Sequence, residues 1–317
     1  MKRQVFILTL IGILCFTGKY TFAQISEGGT PISFSLDMDT GKEKIPVVAM
    51  PPVDARALLQ EDEIVRAEGA LIPFRFGKDI DVDIDVKKAG MMKELPNGDK
   101  LWLLKIQCPD AFSINLIYNR FRLSEGSKFF IYNEDRTMIL GAFTPEVSNN
   151  PYNEFATDLL QGNTIVLEYY EPKSSDDGVI NINKVIHGYI NTFGDGRGLG
   201  NSGKCNNDVI CQQYINWINE RRAVTMLLVN NNTAFCSGCL VNNTNQDFTP
   251  YILTANHCYF DGNTQISNPG TSIFRFFYWR PNCTAGSTIG TGTPTGWQSI
   301  TGATLRARHG ATDFALL

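Results

Sequence analysis

Between residues 101 and 189 the chain is a succession of short apolar or alternating runs. They are Leu101 to Ile106, Ser113 to Tyr118, Lys128 to Tyr132, Met138 to Phe143, Thr164 to Tyr170 and Val179 to Tyr189. Turn-forming clusters such as Asn133-Glu134-Asp135-Arg136 separate them, and regular short strands of this kind predict a β-sandwich. Only Val53 to Ala67, with Ala57, Leu58, Ile64 and Val65 among acidic and basic residues, has the spacing of an amphipathic helix. The run Asp79-Ile80-Asp81-Val82-Asp83-Ile84-Asp85 begins like a calcium loop but lacks the turn glycine and the distal glutamate. A strand with its acids in water and Ile/Val in the core accounts for it better.

From Phe193 to Lys204 the texture changes, with Gly194, Gly196, Gly198, Gly200 and Gly203 in close succession. Such a stretch predicts an exposed, protease-accessible linker and places a domain boundary there. The expected organisation is a β-rich domain over residues 25–197 and a second domain over 198–317, which suits a length of 317 residues. Residues 1–24 read as a secretory leader: Met1, Lys2 and Arg3 precede the apolar run Val5 to Phe16, and Thr21-Phe22-Ala23 supplies small residues before Gln24. The apolar run is too short for a membrane anchor, so no span is expected after leader removal and the product is expected outside the cell.

Composition refines this picture in two respects. Apolar residues at 43% and charged residues at 19% are ordinary for a folded protein, and a formal charge of −4 gives no attraction to phosphate backbones, so nucleic acid is not an expected partner. Of the eight cysteines, Cys15 leaves with the leader and Cys108 stands alone. Cys205, Cys211, Cys236, Cys239, Cys258 and Cys283 crowd into the last third, which in an exported chain suggests a disulfide framework.

The three histidines are His187, His257 and His309. His257 has the most informative surroundings, an apolar run Tyr251-Ile252-Leu253-Thr254 leading into Ala255-Asn256-His257-Cys258, with Cys236-Ser237-Gly238-Cys239-Leu240-Val241 upstream. Cys-x-Gly-x-Leu-Val followed by Leu-Thr-Ala-x-His-Cys resembles the surroundings of the catalytic histidine in trypsin-like serine proteases. Cys205-Asn206-x-Asp208-Val209-x-Cys211, Leu240-Val241-Asn242-Asn243-Thr244 and Thr312-Asp313-Phe314-Ala315-Leu316-Leu317 are similar to the bacterial lysyl endopeptidase branch of that family. The resemblance spans about residues 200–317.

The resemblance implies an all-β fold in which a sandwich-like propeptide precedes the first β-barrel of a chymotrypsin-like double barrel, the second barrel being absent from these residues. It implies His257 as general base and Asp313 as the carboxylate orienting it, with the serine nucleophile beyond residue 317; this fragment alone is then expected to be inactive. Disulfides Cys236 to Cys258 and Cys211 to Cys283 are implied, as is a bond from Cys205 to a cysteine after residue 317. Cys239 departs from the family pattern. Protein or peptide substrates cut after lysine or another basic residue, a propeptide acting in cis, and no cofactor are the further implications.

Two other readings compete. Cys236, Cys239, His257 and Cys258 offer four zinc ligands, although adjacent His and Cys side chains rarely face one ion and an exported chain favours disulfides. A non-catalytic secreted or surface-binding protein on a protease scaffold is the alternative function, with residues 25–197 as an independent binding module. Gly200-Asn201-Ser202-Gly203 precedes the histidine and lies in the linker, so it is rejected as a nucleophile turn.

Overall fold

The computed structural model describes residues 24–36, 44–69, 72–175, 177–193, 207–279, 283 and 296–317. The leader, the glycine-rich stretch 194–206 and Cys205 lie outside these residues. The described chain is mostly β-strand in three large sheets and one hairpin, with few helices.

The first sheet has six strands, in the order Val47–Ala49, Lys100–Gln107, Thr164–Glu171, Lys128–Asn133 and Ile139–Phe143, with Met91–Glu94 also on Lys100–Gln107. The second has five: Phe155–Ala156, Ser113–Arg122, Val179–Gly188 and Gly77–Asp85, with Leu160–Gln161 also on Ser113–Arg122. Alternation along each strand sends Leu104, Ile165 and Leu167 of the first sheet against Leu116, Tyr118 and Val185 of the second in one buried cluster. The opposite face of Thr164–Glu171 is covered by Ile32 and Phe34 of the short helix Ile32–Ser35. This explains why its run shows little alternation. Glu168, fully buried on that face, accepts the N–H groups of Ile32 at 2.5 Å and Ser33 at 3.3 Å. Burial raises its pKa, and these bonds, with those from the Ser33 and Tyr132 hydroxyls, offset the rise only in part.

The third sheet has nine strands and is built mostly after residue 207. Its order is Gln24–Ile25, Gln298–Thr301, Ile273–Phe276, Val224–Val229, Ala234–Val241, Tyr251–Thr254, Phe314–Leu316 and Ala307–His309, with Phe74–Arg75 also on Ala234–Val241. Its inner face carries Leu227, Ile252, Phe274 and Ala315, and its outer face packs Leu228, Phe235 and Ile273 against Ile117 and Ile186 of the second sheet. The second sheet is therefore the middle layer of three. The turn joining Val224–Val229 to Ala234–Val241 holds Asn230, Asn231 and Asn232 at φ of 52°, 53° and 56°, a left-handed region that asparagine tolerates better than most residues.

All six apolar runs between 101 and 189 coincide with strands, except that Met138 and Tyr189 each fall one residue outside. The helix runs over Ala55–Ala67, capped by Asp54, whose carboxylate accepts the Ala57 N–H at 3.1 Å. Its inward face differs from the expected one, because Ile64 is exposed and Asp62 is buried. Asp62 is stabilised there by Arg75 Nε at 2.8 Å and the Tyr189 hydroxyl at 2.7 Å. Gly77–Asp85 is a strand, with Ile84 in the core and Ile80 and Val82 packed against it. Its acids are not left to water alone: Asp79 accepts from Lys184 at 3.0 Å, and Asp85 caps the next helix.

Candidate active site

Strand Tyr251–Thr254 delivers the chain into a tight 3₁₀ turn, Asn256–Cys258, and His257 sits at its centre. The turn is fixed from three sides. Cys258 is bonded to Cys236 on the neighbouring strand, Thr254 Oγ1 donates to Ser237 O at 2.8 Å, and Ser267 Oγ donates to Cys258 O at 2.9 Å. Below it, Tyr259 and Phe260 are buried in the inner cluster of the third sheet.

Asp313 reaches this turn from the hairpin between Ala307–His309 and Phe314–Leu316. Its backbone takes φ of 49°, and its own carbonyl accepts the Asn256 N–H at 3.2 Å. Its carboxylate meets His257 twice: Oδ2 lies 2.7 Å from Nδ1, and Oδ1 accepts the His257 backbone N–H at 2.9 Å. Burial alone would raise the Asp313 pKa, but the backbone and ring donors of His257 outweigh it, so the carboxyl lies below its ordinary value. The carboxylate is therefore charged at neutral pH.

The imidazole is thus held in one orientation, with Nδ1 committed to Asp313. Among the described residues nothing hydrogen-bonds Nε2, and the side chain is 31% exposed. An imidazole in this state can accept a proton at Nε2 while the carboxylate stabilises the resulting cation. Asn256 lies buried beside it and accepts from Arg308 Nη1 at 3.3 Å, while the Arg308 guanidinium sits 3.8 Å from the centre of the Phe260 ring. Neither Asn256 nor Arg308 was singled out by sequence, since neither residue type in that setting signals a supporting contact.

Cys236, His257 and Cys258 place their candidate ligand atoms within 4.8 Å of one another. The two sulfurs are bonded together, however, so neither is a thiolate and the set does not fit zinc. Cys239 faces the other side of its strand, paired in register with Val224 and Leu253, and is free. Cys211 is joined to Cys283. Cys108 is free and buried. His187 is buried in the second sheet, where burial lowers its pKa, and His309 lies exposed with Nδ1 2.9 Å from Thr312 Oγ1. The structure does not bring either of them to His257.

These features define a strand-and-turn histidine braced by a disulfide and oriented by a carboxylate within a β-sheet protein. Residues 199–317 match the family model described as the C-terminal domain of lysyl endopeptidase. The match supports the lysyl endopeptidase family, and so a protease-related role, for that part of the chain. Among the described residues no helix is long and apolar enough to cross a membrane.

Proposed function

We propose that the chain is the front part of a secreted serine endopeptidase precursor. His257 takes a proton at Nε2 from a serine hydroxyl as that oxygen attacks the scissile carbonyl, then gives it to the departing amine. Asp313 holds the ring tautomer and stabilises the imidazolium, remaining ionised throughout. The serine, the donors for the oxyanion and the specificity pocket belong to a second barrel following residue 317, and the third sheet contributes to the first. Cleavage after lysine is the preferred specificity, on the strength of the family match and the sequence resemblance. Residues 1–24 are the leader, 25–197 a propeptide acting in cis, and 198–317 the start of the protease domain.

The observation that carries this reading is the 2.7 Å contact from Asp313 Oδ2 to His257 Nδ1. Its test is a chain extended through the codons that follow Leu317, assayed on lysyl peptide substrates. His257→Ala is expected to lower kcat at least about 10⁴-fold while the fold persists. Unchanged hydrolysis in that variant, or a following sequence with no serine nucleophile, would overturn the reading in favour of a non-catalytic binding protein.

A further inference from the structure

The outer face of the third sheet is largely apolar where it packs against the second sheet, with Thr301 donating to Ala156 O at 3.1 Å at its edge. Leu228, Phe235 and Ile273 lie buried on it, and Arg275 stands among them with its side chain 1% exposed. Strand alternation puts Ile273 and Arg275 on this face and Phe274 on the inner one. The guanidinium meets the carboxylate of Asp158, itself 3% exposed, with Nε 2.8 Å from Oδ1 and Nη2 also on Oδ1. Trp297 Nε1 donates to Oδ2 at 3.0 Å and the Leu159 N–H to Oδ1 at 2.7 Å, so the carboxylate is well satisfied. The rings of Tyr278 and Trp297 lie 5.3 and 5.2 Å from the guanidinium carbon.

Asp158 comes from the part of the chain before residue 194, whereas Arg275 and Trp297 follow residue 207. Parting the two segments would expose the surrounding apolar face to water, whereas removing one charge with the segments still joined leaves its partner buried and uncompensated. Backbone pairing adds to the join. Phe74–Arg75 pairs with Ala234 and Phe235, Gln24–Ile25 pairs with Ile300 and Thr301, and Phe76 donates to Thr233 O at 2.8 Å. Among the described residues, none of the hydrogen bonds or ion pairs made by residues 24–193 reaches the 254–258 turn or the 309–315 hairpin. The docked face and the His257 site are separate.

We propose that residues 24–193 and 207–317 form a two-piece complex that stays bound after the peptide between them is cut, with Asp158 and Arg275 as its central latch. The partner that the outer face of the third sheet takes is this chain's own N-terminal part, seated without covering His257. This goes beyond the hydrolytic reading and does not rest on it, because the join exists whatever His257 does.

The test uses the whole chain with a recognition sequence for a specific protease inserted between residues 197 and 198. After cleavage the two pieces are expected to co-elute in size-exclusion chromatography at neutral pH. Asp158→Asn is expected to weaken their association at least about tenfold, and the reciprocal pair Asp158→Arg with Arg275→Asp to recover part of the loss. Should Asp158→Asn fail to fold, Trp297→Phe decides, since it keeps both charges and removes one hydrogen bond; a measurable weakening is expected. Separation of the cut wild-type pieces, or wild-type association in Trp297→Phe together with any folded Asp158→Asn, overturns the proposal. The readout is binding, so an absence of peptidase activity leaves it standing.

Discussion

Asp313 holds His257 by ring and backbone together, one carboxylate oxygen on Nδ1 and the other on the N–H of the same residue. The second bond fixes the turn that presents the ring, so the carboxylate shapes the site as well as charging it. Asp313→Asn should consequently affect folding as well as chemistry. The native carboxyl lies below its ordinary value, so its stabilising contribution is present at neutral pH and lost as pH falls through the native pKa. Urea unfolding of wild type and Asp313→Asn should therefore differ at pH 7 and converge in acid, once the pH has fallen through the native pKa. An equal difference at both values would remove the carboxylate from the linkage.

The two disulfides among the described residues close loops of different length. The Cys236 to Cys258 bond spans 22 positions, and the chain-entropy relation gives about 3 kcal/mol for it. For Cys211 to Cys283, spanning 72 positions, the same relation gives about 4 kcal/mol. Paired Cys→Ser variants measured by guanidinium unfolding should reproduce that order. The first pair should also loosen the His257 turn, read as faster amide exchange at Cys258 and Tyr259.

The two free thiols among the described residues should respond differently to alkylation. Burial pushes Cys108 up to about 12, so under native conditions at pH 8 it is almost wholly un-ionised and shielded. Cys239 is partly exposed on its strand. Iodoacetamide followed by peptide mapping should tag Cys239 in the folded chain and Cys108 only after unfolding. Early tagging of Cys108 would show that the core between the first two sheets opens readily.

Asp62 is buried with Arg75 and Tyr189 as its donors. Asp62→Ala strips the Tyr189 hydroxyl and Arg75 Nε of their acceptor, Arg75 keeping Glu61 and Leu58 O through Nη2, and should cost about 1–3 kcal/mol. Arg75 belongs to the short strand that pairs with Ala234 and Phe235, so the loss should extend to that strand. A change in midpoint without a change in denaturant slope is the expected signature. An unaltered midpoint would mean that these buried hydrogen bonds add nothing to stability.

What sequence revealed and what it hid divide along chain distance. The six longer strands between 100 and 188 were legible because each run carries its own pattern and its own turn residues, whereas the two-residue strands Phe155–Ala156 and Leu160–Gln161 are too short to show one. His257 and Asp313 were singled out because each sits in a recognisable local motif, although they lie 56 positions apart. Asp158 and Arg275, separated by 117 positions, carry no local sign at all. Nothing in Ala156-Thr157-Asp158-Leu159 or in Ile273-Phe274-Arg275-Phe276 marks the charged residue for burial. Only the stacking of the second sheet on the third makes them a buried pair. Asp62 was hidden for the same reason, since helical periodicity alone placed it among the solvent-facing acids.

Phe74 and Arg75 supply a length of ladder to Ala234 and Phe235 that Tyr251–Thr254, pairing only from Gly238 onward, does not reach. The two halves therefore complete one sheet margin between them. A graft of the C-terminal portion alone onto a foreign leader would carry an unfinished sheet margin into its new host, and a replacement N-terminal portion would have to bring a matching strand. Cassette exchange between relatives is constrained by that shared margin before any chemistry at His257 is considered.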